Sequence, residues 1–409
     1  MSDYFPQEVL ADILLRLPTK TIGLCSCVCK SWHSAITNPT FVHNHFTQTQ
    51  NDNDRRRLFL LRHFPETHNR ERYSLHSDNY AFDKVQDLDF PLQSFNRHFR
   101  IVGSCNGVLC LSDDTTVITA NFVLWNPSIR KYISLPRPLV SCSSHGLFTF
   151  ALGFGFDSLS CDYKVVMLAY LKTKYGFYSS RRPTVNVYSL NTNSWRDVSA
   201  TALSYRVVEF LWTQVFMNGA VHWIASTHDI GLKLERFNKS PFGNLILRFD
   251  LAHEVFDKMS LPESLVSSTQ YELSITVLGE RLSVVQFHRR SYHACSIWMM
   301  EEYGVAESWT KWLEIGLMYE IPDRRRLVTS QNLGKVLGLR ENGQLVLEMN
   351  DGRVLFYHPV TQMVKNVGIH GLEDSFYFDS FVESLVLLGK GAENLKRECI
   401  QSNKRRRCC

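Results

Sequence analysis

The chain has 409 residues, 44% of them hydrophobic and 12% aromatic, which is enough for two or three ordered domains. Lys and Arg number 45 against 40 Asp and Glu, and four of the positives stand together at Lys404–Arg407; the body is therefore near neutral, and no basic field marks nucleic acid as a partner. With no apolar run of about eighteen residues, no signal peptide and an odd count of 11 cysteines in apolar contexts, the sequence reads as a reduced cytoplasmic or nuclear protein.

The first forty or so residues form a helical unit. Val9, Leu10, Ile13, Leu14 and Leu17 recur at i, i+1, i+4, i+5 and i+8, an apolar stripe with Gln7, Glu8, Asp12 and Arg16 facing away. Pro6 suits the first helical position, Pro18 stops the helix, and Thr19 is expected to cap a second one from about Lys20. That helix carries Ile22, Leu24, Cys25 and Val28 and gives way to Cys29-Lys30-Ser31-Trp32. So short a unit buries too little apolar surface to stand alone, and must finish its core on the rest of the chain or on a second protein. Cys25, Cys27 and Cys29 do not read as a metal site, since only the outer pair shares a helix face and zinc takes four ligands.

Four blocks in order carry a resemblance: Phe5-Pro6-Gln7-Glu8-Val9-Leu10, Ile13-Leu14-Leu15-Arg16-Leu17-Pro18, Val28-Cys29-Lys30-Ser31-Trp32 and Asn38-Pro39-Thr40-Phe41. Together they resemble an F-box, with a departure at Ser26 and Cys27, near where many plant F-boxes carry Arg. The resemblance implies docking onto the Skp-type adaptor of a cullin-based ubiquitin ligase. The residues it points to are Pro6, Val9, Leu10, Ile13, Leu14, Leu17, Pro18, Leu24, Val28 and Trp32, some of which pack the unit internally. The expected boundaries are 1–46 for the F-box and 47–57 for a polar linker.

From Leu58 the texture changes to short runs of Val, Ile, Phe, Tyr and Leu broken by Gly, Asn, Asp and Pro, the mark of many strands and tight turns. A weak repeat runs through it: Trp125 to Tyr132, Tyr188 to Trp195, Phe249 to Phe256 and Tyr357 to Val364 each span seven positions, and Trp298 to Trp309 has the same ends with a longer turn. Ahead of most of these lies a second hairpin signal, at Asn106-Gly107, Asn218-Gly219, Gly279-Glu280 and Asn342-Gly343. Two hairpins per fifty to sixty residues suit a four-stranded propeller blade. The fold expected is a small all-α F-box followed by an all-β, kelch-like β-propeller of about six blades over 58–390, with Leu58–Phe90 as one blade and Phe376–Leu388 as a closing strand; an irregular sandwich or barrel is the alternative. Residues 391–409 read as a basic tail.

Gly103-Ser104-Cys105-Asn106-Gly107-Val108, Leu124-Trp125-Asn126-Pro127-Ser128-Ile129-Arg130-Lys131, Asp162-Tyr163-Lys164-Val165-Val166 and Gly219-Ala220-Val221-His222-Trp223 make this half similar to the plant F-box-associated interaction domain. It looks like the constitutive expresser of pathogenesis-related genes and S-locus F-box types. The resemblance implies that the second domain holds a protein destined for ubiquitylation, with plant immunity as the setting.

No catalytic constellation is legible. Gly153-Phe154-Gly155-Phe156 lacks the Lys and helix of a phosphate loop, His222 lies in a strand between Val221 and Trp223, and pairs such as Asp113-Asp114 read as surface charge. The chain is expected to be a non-catalytic receptor without cofactor or metal; a propeller oxidase would need clustered metal ligands, and a non-degradative scaffold is the main rival. Tyr175, Phe177, Tyr178, Arg181 and Arg182 form an aromatic and basic loop suited to target binding, or to folding back on its own blade. Lys404–Cys409 reads as a solvated tail, an import signal, or, through Cys408-Cys409, a lipid anchor that would bring the membrane into play.

Overall fold

The computed structural model describes residues 6–51, 58–65, 70–92, 94, 99–113, 121–173, 182–207, 214–227, 243–269, 272–288, 294–316 and 333–389. Four helices lead: α1 (Gln7–Leu15), α2 (Thr19–Cys25), α3 (Lys30–Ile36) and α4 (Pro39–Asn51). Pro6 stands one residue before α1 with φ −53° and ψ 141°, and its carbonyl accepts the amides of Val9 and Leu10 at 3.1 and 3.2 Å. Pro18 plays the same part for α2, so the cap expected at Thr19 is not there. Thr19 is the first helical residue and is buried, its hydroxyl capping nothing. α4 continues through Thr47–Asn51, residues whose polarity read as linker; the exposure of its outer face, with only Phe41 and His45 buried, accounts for that composition. His45 Nε2 lies 3.0 Å from Leu17 O and ties α4 to the turn between α1 and α2.

Six antiparallel sheets follow, each a propeller blade. Blade 2 holds Arg100–Cys105, Val108–Asp113, Asn121–Asn126 and Lys131–Ser134; blade 3 holds Phe148–Asp157, Asp162–Leu171, Thr184–Ser189 and Ser194–Asp197. Blade 4 holds Val215–Met217, Ala220–Ser226, Asn244–Asp250 and Val255–Met259, with Arg206–Val207 added beside the second strand. Blade 5 runs Leu273–Leu278, Arg281–Phe287, Ala294–Met300 and Trp309–Gly316, and blade 6 runs Leu333–Leu339, Leu345–Met349, Arg353–Tyr357 and Val364–His370. Blade 1 is composite: Leu58–His63, Arg72–Ser77 and Lys84–Leu88 are joined by Tyr377–Phe381, which pairs with Leu58–His63 and closes the ring. The closing strand is shorter than the Phe376–Leu388 expected, because the chain leaves the sheet after Phe381.

The seven-residue spacing is the outer hairpin of each blade. Trp125 faces Tyr132, Tyr188 faces Trp195, Phe249 faces Phe256 and Tyr357 faces Val364, each pair joining the two outer strands of blade 2, 3, 4 or 6. In blade 5 the partner of Trp309 is Met300, with Trp298 opposite Lys311, so the leading aromatic of this unit stands two residues before the hairpin end. Asn106-Gly107, Asn218-Gly219 and Gly279-Glu280 close two-residue inner hairpins with both residues at positive φ, between 49° and 74°. Asn342-Gly343 instead lies in the loop 340–344 between paired Leu339 and Leu345, with Gly343 at φ 80°.

Inner strands are buried on both faces, which explains their near-continuous apolar runs. In blade 3, Val165, Met167 and Ala169 pack toward blade 2, while Val166, Leu168 and Tyr170 pack toward blade 4. Gly153 and Gly155 supply close approach and not a ligand loop: a Cβ on Gly153 would lie 2.6 Å from Trp223 Cζ2, and one on Gly155 2.2 Å from Phe216 Cδ2. Trp223 Nε1 donates to Leu152 O at 2.8 Å and locks blade 4 onto blade 3. The seam between blades 1 and 6 is held by Arg340, whose Nε donates to Asp78 Oδ1 at 2.8 Å and whose guanidinium lies 4.5 and 5.3 Å from the Phe356 and Phe82 ring centres.

Candidate docking faces

In such a blade the turns joining first to second and third to fourth strands share one end of the ring, and the remaining connections share the other. The helical unit sits at the first end. Its core is Leu14, Ile22, Ile36 and Phe41, completed by Leu385 and Leu388 from the segment that follows the closing strand, with Ile129 of a blade 2 turn at the margin. The small helices thus finish their core on their own chain, and a second contact joins Lys20 of α2 to Gln86 of blade 1.

This packing divides the residues read as adaptor-binding. Leu14 is 1% exposed and belongs to the internal core; it is corrected from docking residue to packing residue, because the inner half of the α1 stripe faces α4 and the closing segment. Leu10, Leu17 and Trp32 are half-buried at the edge of that core. Leu24, Val28, Ile13 and Val9 remain 74%, 65%, 49% and 44% exposed, and Pro6 and Pro18 are exposed beside them. The result is an outward apolar face on helices whose other side is anchored. Asp12 and Arg16, paired at 2.9 Å, border it as a solvated ion pair.

Among the described residues, the opposite end of the ring carries the connection 135–147 and the flanks 172–173 and 182–183 of another. Arg182 lies there and is exposed. Tyr175, Phe177, Tyr178 and Arg181 fall outside the described residues, as does the tail Lys404–Cys409.

His222 is a packing histidine. Its Nδ1 lies 3.2 Å from Val215 O and its Nε2 2.8 Å from Tyr303 Oη, while Arg248 Nε donates to the same phenol at 3.2 Å. That network fits a neutral ring with the proton on Nδ1, and burial above all pushes its pKa down to about 4. Asp113 is corrected too: it is buried in a blade 2 strand and accepts Ser94 Oγ at 2.7 Å. Among the described residues Cys25, Cys27 and Cys29 are free thiols, no three His, Cys, Asp or Glu side chains are grouped as a metal would need, and no helix is long and apolar enough to cross a membrane.

Comparison with known proteins agrees with this layout. Residues 3–44 match the F-box domain and residues 72–388 match the F-box associated beta propeller domain. The chain is 26% identical to F-box protein CPR1 of Arabidopsis thaliana, covering 95% of this chain and 90% of that one. It is 26% identical to F-box protein At3g07870 (91% and 89% covered) and 24% identical to F-box/kelch-repeat protein At3g23880 (88% and 91%), both also of Arabidopsis thaliana. With an F-box at its head and a six-bladed ring for most of its length, the chain belongs to the F-box-associated β-propeller family.

Proposed function

We propose that this chain is the substrate-recognition subunit of a Skp–cullin–F-box ubiquitin ligase. One observation carries the reading: the helices are anchored to the propeller on one side, yet keep Val9, Ile13, Leu24 and Val28 facing outward. Several large apolar side chains left exposed on one short helical unit suit a protein-binding site. In this reading Pro6, Val9, Ile13, Pro18, Leu24 and Val28 meet the Skp-type adaptor, and through it a cullin, with Leu10, Leu17 and Trp32 supporting them. The far end of the ring, including the connection that carries Tyr175, Phe177, Tyr178, Arg181 and Arg182, receives the target. The chain does no chemistry of its own; it raises the local concentration of target lysines near a charged conjugating enzyme. A defence-related target follows from the family resemblance.

The test is adaptor binding by the full chain and by an Ile13→Asp, Leu24→Asp double variant, with Leu159→Asp as control, since Leu159 is 73% exposed on a blade 3 turn. Tight binding by wild type and control, lost in the double variant, supports the docking face. Equal binding by all three refutes it. If the double variant loses the adaptor and no protein accumulates in cells that carry it, the non-degradative scaffold replaces the receptor.

A further inference from the structure

The segment 382–389 touches both halves of the molecule. Leu385 and Leu388 are buried in the helical core, but Leu387 between them is buried in the core of blades 2 and 3. To turn alternately both ways the backbone takes φ 76° at Leu387, a left-handed conformation that branched-chain residues avoid. Polar contacts fix the same segment from below. Asn126 Nδ2 donates to Ser384 O at 3.0 Å, Ser384 Oγ at 3.1 Å and Val386 O at 2.8 Å; Asn126 Oδ1 accepts Ser128 N at 2.9 Å; Lys131 Nζ donates to Leu388 O at 2.7 Å. This segment begins directly after Tyr377–Phe381, the strand that shuts the ring.

We propose that 382–389 is a positioning strap: it couples closure of the propeller to the fold of the helices, and so to the shape of the adaptor-binding face, without touching the adaptor. Two of the six buried side chains in the helical core come from the strap, so α1–α4 hold their arrangement only while it is seated. Because coupling is reciprocal, adaptor bound to the helices tightens the strap and the closing strand beneath it. The strap rests on the receptor reading for its consequence at the adaptor, but its hold on the helices is measured independently.

The experiment is hydrogen exchange on the full chain, with and without saturating Skp-type adaptor, together with adaptor affinity. Leu385→Ala should speed exchange across α1–α4 while Asn244–Asp250 and Arg281–Phe287 of blades 4 and 5 stay as in wild type, and should weaken adaptor binding at least tenfold; Leu385→Met should restore both. Should Leu385→Ala fail to fold, Leu388→Val makes the same comparison with one methylene removed at the far end of the strap. In wild type, adaptor should slow exchange in 377–389. Leu24→Asp should abolish adaptor binding and leave exchange in α1–α4 unchanged. Unchanged exchange in α1–α4 for the strap variants, or no slowing of 377–389 by adaptor that binds wild type, overturns the proposal. If wild type binds no adaptor, the receptor reading falls and the strap is judged on the variants' exchange alone.

Discussion

Removing the carboxylate of Asp78 tests how the ring is held shut. Arg340 is 2% exposed, and besides Asp78 it donates to Gln344 Oε1 at 2.9 Å and to Asn79 O, while Asp78 Oδ2 accepts the amide of Glu341 at 2.9 Å. Asp78→Ala leaves a buried guanidinium with dipoles and two aromatic faces but no counter-charge, which costs about 3–5 kcal/mol. Arg340→Met leaves a nearly buried carboxylate with one amide donor, a loss of similar size, whereas the double variant fills the site with apolar side chains and is expected within about 1–2 kcal/mol of wild type. If the propeller of roughly 330 residues unfolds as one unit, its unfolding entropy is about 0.7 kcal/mol/K, so about 4 kcal/mol lowers Tm by about 6 °C. Calorimetry on the four proteins, with urea unfolding for the free energies, reads the cycle. A Tm shift below about 1 °C for Asp78→Ala, or a double variant that loses the sum of the two singles, would rule out a coupled buried ion pair at this seam.

Gly153→Ala places a methyl 2.6 Å from Trp223 and Val221, and overpacking of this kind should cost about 1–3 kcal/mol, with a changed near-ultraviolet signal from Trp223; an unshifted Tm would show that blade 4 slides freely on blade 3. Glu348 is buried in blade 6, and burial above all pushes its pKa up to about 8 from 4.5, against the pull of Lys335. Between those two values the unfolded chain gives up a proton that the folded chain keeps, so stability falls as pH rises from about 4.5 to about 8 and levels off above. Glu348→Gln should therefore be more stable than wild type by an amount that grows across that window, on the order of a few kcal/mol at its top; a pH-independent difference in urea midpoints would refute it. His222 acts on the acid side: with its pKa near 4 it resists the proton that the unfolded ring accepts at 6.5, so stability is lost as pH falls through that interval, and His222→Phe should lose less of it in the same titration.

Local signals in the sequence were readable because each is made by neighbours in the chain. The Trp125–Tyr132 spacing is one hairpin, and Asn106-Gly107 is one turn whose two positive φ angles few other pairs accept. The division of the helical stripe was only half readable, since a stripe at helical spacing says which side of α1 is apolar but not that Leu14 turns inward while Val9 and Ile13 at its rim stay outside. What divides them is Leu385, far along the chain from Leu14, and no periodicity links the two. Trp298 fails as a hairpin marker for a related reason: its strand runs on to Met300, which is the residue opposite Trp309, and composition does not mark where a strand ends. Glu348 and Arg340 were silent because a charged residue in a strand or loop looks the same whether solvated or sealed.

Blade 1 is made from both ends of the ring, and the residues that seal it run straight into those that complete the helical core. A chain still on the ribosome has its four helices in solution long before Leu385 and Leu388 have been made. Until then the helices lack two of the six buried side chains around which they pack, so their assembly is among the last steps in the making of the chain.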